Sequence, residues 1–253
     1  MEADLRFAHE LADAADAVTL ARFRSLDLRV DTKPDLTPVS EADRAAEDAV
    51  RSVAAASGRG EAVFGEEAGG GVGDGDAAAR WIVDPIDGTR NYVRGLPVWA
   101  TLLALERDGV VDVGLVSAPA LGRRWWAVRG GGAWANGSPC RVSEIARFED
   151  AVVSTTSARD MPDGWRALAG RAWADRGFSD FWQYCLVAEG AVDVAADEAL
   201  ELWDYAPLEL IVAEAGGRCT TFAGGPPTPG ESFVASNGRL HGEAVAALRG
   251  QTP

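Results

Sequence analysis

The sequence predicts a layered α/β or α+β fold with mixed strands between layers of helix, and three observations predict it. Helical and strand periodicities alternate from the first residues onward. Four strand patterns follow one another between residues 80 and 129, and Asp108-Gly109 joins two of them as a hairpin turn, so this middle section runs antiparallel. From about residue 150 the alternation of helix and strand resumes, which argues against one purely parallel sheet.

Residues 3 to 24 read as an amphipathic helix, with apolar residues at helical spacing among acidic ones. A strand follows at 26 to 32. Ser40, with Asp43 three residues on, then forms a capping pattern that opens an alanine-rich helix over 40 to 57. Val63-Phe64 ends a strand, after which Glu66 and Glu67 lead into a glycine-rich loop from Gly69 to Asp76. Strands are expected near 80–84, 98–106, 110–117 and 123–129. Further on come a strand near 151–154, helices near 163–174 and 182–189, a strand at 191–196, a helix at 204–215 and a final helix at 239–249. The chain shows no internal repeat and no disordered tail. The expected organisation is an N-terminal α+β half, 1–145, and a C-terminal α/β half, 146–253, packed tightly as one unit.

With 253 residues, 47% of them hydrophobic, the chain can bury a large core. Its formal charge of -15 argues against nucleic acid or an anionic membrane as the main partner, because both require basic patches. An acidic protein that binds phosphate needs metal to do so. The N-terminus, MEADLRFAHELADAADAV, has no basic region, no uninterrupted apolar segment and no small-residue cleavage site, and no run approaches transmembrane length. Three widely spaced cysteines, Cys140, Cys185 and Cys219, indicate neither a disulfide framework nor a zinc ribbon, so a reducing cytoplasm is expected.

The most informative stretch is WIVDPIDGT, Trp81 to Thr89, where two carboxylates stand three residues apart at the end of an apolar strand. Between them Pro85 has a fixed φ and no N–H, so the chain bends and turns the Ile86 carbonyl inward with Asp84 and Asp87. Such an all-oxygen cluster suits a hard divalent cation. Gly88 and Thr89 then open a short helix whose free N–H groups favour a phosphate, which places metal and phosphate side by side.

Glu66 and Glu67 are further metal candidates, although a strand end before glycines is also an ordinary solvated turn. Asp204 heads a helix and reads equally as its N-cap, and capping alone explains Asp43. Lys33 is the only lysine among 24 basic residues, which suggests a place that wants a compact ammonium. The chain has no Walker loop, no GxGxxG and no cysteine with an arginine six residues on. His9 and His241 lie in helical segments and read as surface residues without a role.

The segments GEE at Gly65 to Glu67, WIVDPIDGTRN at Trp81 to Asn91, and WDYAPLELIVAEAGG at Trp203 to Gly217 resemble, in order and spacing, the signatures of the inositol monophosphatase family. The resemblance spans nearly the whole chain and includes KPDLTPVSEAD at Lys33 to Asp43 and YCLVAEGAVDVA at Tyr184 to Ala195. Within the family, RGLPVWATLLAL, GLVSAPALGRRWWA and YCLVAEGAVD look most like the actinobacterial-type histidinol-phosphate phosphatases.

The resemblance implies an αβαβα sugar-phosphatase type of α+β fold. It also implies one metal held by Glu66, Asp84 and the Ile86 carbonyl and a second held by Asp84, Asp87 and Asp204, with Glu67 supporting a weaker third. Two or three Mg²⁺ ions per subunit are the expected cofactors. Direct attack by a metal-activated water is implied, oriented by Thr89 and through it by Asp43, with Lys33 beside the acidic cluster. Backbone N–H groups of Gly88 and Thr89 would hold the phosphate. By alignment, substrate-facing positions fall at Asp180 and Asp197, both anionic and so suited to a cationic amino alcohol; Asp180 reads equally as a cap of the helix after it. The implied activity is hydrolysis of histidinol phosphate in histidine biosynthesis, with inositol-1-phosphate or broad sugar-phosphate hydrolysis as the alternative. A binding role with transcription machinery stands third. A homodimer is also implied by the family.

Overall fold

The computed structural model describes residues 1–33, 37–68 and 78–250. The glycine-rich loop expected at Gly69 to Asp76 lies outside the described residues. In chain order the helices are α1 (Glu2–Arg22), α2 (Glu41–Ser57), α3 (Thr89–Val93), α4 (Asp163–Arg171), α5 (Asp180–Ala188), α6 (Leu202–Glu214) and α7 (His241–Leu248). The strands are β1 (Val30–Thr32), β2 (Pro38–Ser40), β3 (Ala62–Gly65), β4 (Ala79–Asp87), β5 (Ala100–Arg107), β6 (Val110–Ala118), β7 (Arg123–Val128), β8 (Ala133–Ala135), β9 (Ser138–Pro139), β10 (Val152–Ser154), β11 (Ala174–Arg176), β12 (Val194–Leu200), β13 (Arg218–Thr220) and β14 (Glu231–Ser236).

Two sheets carry the fold. The first runs β3-β4-β5-β6-β7-β8-β9, antiparallel except for the parallel pair β3-β4. The second runs β11-β10-β12-β14-β13, parallel through β11-β10-β12 and antiparallel beyond. Alternation along the strands explains the layering, because successive side chains leave opposite faces. Trp81 and Val83 of β4 and Leu103 and Leu105 of β5 pack with Phe7, Leu11 and Val50 of α1 and α2 on one face. Ile82 and Ala104 meet Ala206 of α6 on the other. A second core joins Leu102 and Val116 of that sheet to Phe181 and Tyr184 of α5, to Leu208 and Ile211 of α6, and to Phe233 and Ala235 of β14. The outer face of the second sheet packs Val153, Val194 and Val234 against Trp165, Leu168 and Leu248 of α4 and α7. The layers are therefore α, β, α, β, α, a layered α+β fold. Among the described residues no helix is long and apolar enough to cross a membrane.

Most expected elements are present, with shifts that have local causes. The strand expected over 26–32 is limited to Val30–Thr32, the length that pairs with β2. The helix expected to reach 174 stops at Arg171, because Ala174–Arg176 pairs in parallel with β10 as an edge strand. The strand expected at 191–196 begins at Val194, since Ala191 and Val192 still bond back to the Leu186 carbonyl at the end of α5. His241 is a correction: it is 2% exposed, with its ring nitrogens 2.9 Å from the Thr220 and Ser236 hydroxyls, not a surface residue.

Candidate active site

The site forms where the carboxyl end of β4 breaks its pairing. The register of β4 on β5 shifts between Asp84 and Asp87, over Pro85 and Ile86. Pro85 has no N–H to give to a neighbouring strand, and its carbonyl accepts the Thr101 hydroxyl instead (2.8 Å). Asp84 Oδ1 accepts the Ile86 N–H at 3.0 Å, while the Ile86 side chain is buried with Tyr92 and Trp99. Gly88 follows with φ +84, and a Cβ there would lie 2.9 Å from the Val98 carbonyl, so only glycine makes the turn into α3 without strain.

Asp84, Asp87 and Asp204 each present a carboxylate oxygen within 4.8 Å of the others. Asp204 comes from the second half of the chain. It is the third residue of α6 rather than its N-cap, and its Oδ2 accepts the Glu201 N–H at 2.8 Å. Asp87 Oδ2 accepts the Phe181 N–H at 2.6 Å, which ties this cluster to the first turn of α5. Glu66 contacts Asp84, and Lys33 Nζ lies 2.7 Å from Glu66 Oε1 and 2.6 Å from Glu67 Oε1. Burial, with repulsion from Glu66, Asp87 and Asp204, holds the Asp84 carboxyl well above its ordinary range. Burial and the charges of Asp180 and Asp204 do the same to Asp87, and burial pushes Asp204 up to about 7 against the Glu201 N–H bond. Burial also works against the Lys33 charge, but its two glutamates hold its pKa above the ordinary value. That lysine is already committed to them. Three close carboxylates, one buried and two half-buried, with no ion pair among the described residues, are what a divalent cation offsets, so the donor set fits a hard cation.

Thr89 Oγ1 stands 3.0 Å from Asp43 Oδ1 and 2.9 Å from the Ile86 carbonyl. Asp43, on the buried face of α2, also accepts the N–H and hydroxyl of Ser40, in the capping box that the sequence shows. Burial still raises its pKa. A cavity of about 640 Å³ is lined by Lys33, Glu66, Asp84, Ile86, Asp87, Gly88, Thr89 and Asp204, among others. A neighbouring cavity of about 420 Å³ shares Asp87, Arg90, Asp180 and Asp204 with it and adds Asp160, Asp197 and Glu198.

The structure thus brings Lys33, Asp43, Glu66, Glu67, Asp84, Ile86, Asp87, Gly88, Thr89, Asp180 and Asp204 to one cleft. Asp180 does not cap α5 with its side chain; its Oδ2 accepts from Asn91 Nδ2 at 2.8 Å and from the Ser179 hydroxyl. Asp197 reaches only the second cavity, with its carboxylate occupied by protein donors. Sequence reasoning missed Glu47, Asn91 and Thr156. Glu47 is buried, and accepts the Glu67 and Ala68 N–H groups, which holds the turn that carries Glu66 and Glu67. Its signal was legible: Asp43 and Glu47 stand one helical turn apart on the stripe that also carries Ala46 and Val50, where a carboxylate needs a partner.

The chain matches the inositol monophosphatase family over residues 1–252. It is 49% identical to a histidinol-phosphatase of Mycobacterium tuberculosis, covering 97% of each chain. It is 48% identical to a histidinol-phosphatase of Streptomyces coelicolor, over 97% of this chain and 96% of that one. Among solved structures, the Thermotoga maritima IMPase superposes with a TM-score of 0.90 at 32% identity, covering 99% of this chain and 98% of that one. With the layered fold, the acidic cleft and a match that spans the chain, the protein belongs to the inositol monophosphatase family.

Proposed function

We propose that this chain is a Mg²⁺-dependent phosphomonoesterase that hydrolyses histidinol phosphate to histidinol and phosphate. The observation that carries the substrate is the second cavity, whose lining places Asp160, Asp180 and Glu198 beside the acidic cluster, with Arg90 the one cation among its described lining residues. A leaving group with an ammonium and an imidazole suits such a wall, whereas a polyol brings only hydroxyls. The names of the two bacterial relatives support the same reading.

On this reading Glu66, Asp84, the Ile86 carbonyl, Asp87 and Asp204 are the groups that hold two ions, and Glu67 supports a third. When bound, the ions supply positive charge against the phosphate dianion and lower the pKa of water. The chain's own residues do the rest. The Thr89 hydroxyl donates to Asp43, which leaves its lone pairs to accept a proton-bearing water and aim it at phosphorus. Backbone N–H groups of Gly88 and Thr89 orient the phosphate, and Lys33 keeps Glu66 in place. The water oxygen bonds to phosphorus as the P–O ester bond breaks; one water proton ends on the leaving alkoxide, which departs as the alcohol, and the other stays on the released hydrogen phosphate, so no phosphoenzyme forms. The reading includes a cytoplasmic homodimer. In it the half 1–145 brings most metal ligands, while 146–253 brings Asp204 and the specificity residues.

The test is Mg²⁺-dependent phosphate release from histidinol phosphate and from myo-inositol 1-phosphate, side by side. A kcat/KM at least about tenfold higher for histidinol phosphate, equivalent to about 1.4 kcal/mol, supports the reading. A lead for inositol phosphate overturns the substrate and leaves a phosphatase of this family.

A further inference from the structure

Asp197 stands where a substrate ligand is expected, yet its carboxylate is spent within the protein. Its Oδ1 accepts the Thr156 N–H (2.9 Å) and the Thr155 hydroxyl (3.3 Å). Its Oδ2 accepts the Thr156 hydroxyl (3.0 Å), Gln183 Nε2 (2.6 Å) and the Tyr184 hydroxyl (2.7 Å). A carboxylate has about four lone-pair positions, so five donors leave none for a ligand.

The direction of the Thr156 bond follows. An ionised carboxylate only accepts, so the single Thr156 hydroxyl proton points at Asp197, and its lone pairs face the other way. They receive the Asp180 N–H at 2.9 Å and Gln183 Nε2 at 3.2 Å. That matters because Ser179 and Asp180 both have positive φ, +69 and +49, a backbone state that L residues hold only where surroundings impose it. Thr156 imposes it from the bend that follows β10 and Asn91 from α3, through Asp180 Oδ2. The other carboxylate oxygen of Asp180 has no hydrogen-bond partner among the described residues, and Asp180 lines both cavities.

We propose that Asp197 is a positioning residue that does not touch substrate, and that through the Thr156 hydroxyl it fixes Asp180, whose free oxygen meets the cation of the leaving group. The identity of that cation rests on the histidinol-phosphate reading; the relay itself does not.

The experiment is a mutant cycle with Thr156→Val, Thr156→Ser and Asp197→Asn, each alone and combined with Asp180→Asn. The readout is kcat/KM on histidinol phosphate relative to the neutral aryl ester p-nitrophenyl phosphate, with folding checked by circular dichroism. Thr156→Val and Asp197→Asn are each expected to lower the ratio tenfold or more, chiefly through the KM for histidinol phosphate, and Thr156→Ser to hold it within twofold. In the Asp180→Asn background both should add less than twofold, since the group they position is gone. A further tenfold loss there from Asp197→Asn shows direct contact and overturns the relay, as does an equal loss on both esters. If Asp197→Asn does not fold, Thr156→Val decides. If the wild type prefers a neutral phosphate, the functional reading fails by itself. The same cycle on that substrate then tests the relay, with additive losses against it and non-additive losses for it.

Discussion

At the scale of single residues, the site separates groups that hold charge from groups that aim. Thr89 aims: its hydroxyl, within reach of both Asp43 and the Ile86 carbonyl, has a single proton to give and adds no charge to the acidic cluster. Thr89→Ala should therefore lower kcat by about 10²–10⁴-fold, the range typical of a lost positioned acid–base group, with Mg²⁺ affinity changed little. Isothermal titration with Mg²⁺ checks this, and a parallel loss of binding would make Thr89 structural. His241 has a consequence for pH. Burial, and then Arg218, push its pKa down from 6.5 to about 4, so the folded protein keeps it neutral while the unfolded chain takes up a proton. Its contribution is complete above pH 6.5 and is lost as pH falls toward 4, up to about 3 kcal/mol. The stability gap between the wild type and His241→Asn should narrow by that order over this window in urea melts. A constant gap would place the titration elsewhere.

At the scale of elements, capping and turn chemistry were the most legible features. The Ser40–Asp43 box opens α2 as expected, and Asp108-Gly109 turns with positive φ at both residues, as a two-residue hairpin of this hand requires. Elements made by pairing alone were not legible. β11 is three residues at a sheet edge, and β13 exists because β14 pairs with it. Gly88 shows how an element places chemistry. Gly88→Ala should cost about 1–3 kcal/mol, because the φ of +84 is unfavourable for alanine and a Cβ would press on the Val98 carbonyl. Thermal unfolding with and without Mg²⁺ is the check. An unchanged melting temperature would mean that the turn from β4 into α3 relaxes freely.

At the scale of the whole molecule, the acidic cluster links folding to metal. Its carboxylates come from β4 and from α6, so their mutual repulsion opposes the packing of the two sheets until a cation offsets it. Mg²⁺ should raise the melting temperature of the wild type and chelation should lower it. Asp84→Asn should abolish turnover, melt no lower than the wild type in chelator, and lose most of the Mg²⁺ shift. Activity near wild type in that variant would remove the two-metal assignment.

The sequence by itself determined what depends on neighbours along the chain. It set most of the helices and the four long strands of the first sheet, the bend at Pro85 between two aspartates, the Ser40–Asp43 capping box and the family motifs, because those follow from spacing, turn chemistry and residue type. Only the tertiary structure decided which distant groups meet. It brings Asp204 to Asp84 and Asp87, commits Lys33 to Glu66 and Glu67, makes Glu47 the support of their turn, buries His241, and turns Asp197 inward onto Thr156 while leaving Asp180 at the cleft. The physical reason is that a carboxylate's role depends on which donors reach it across the fold, and the local sequence does not encode those donors.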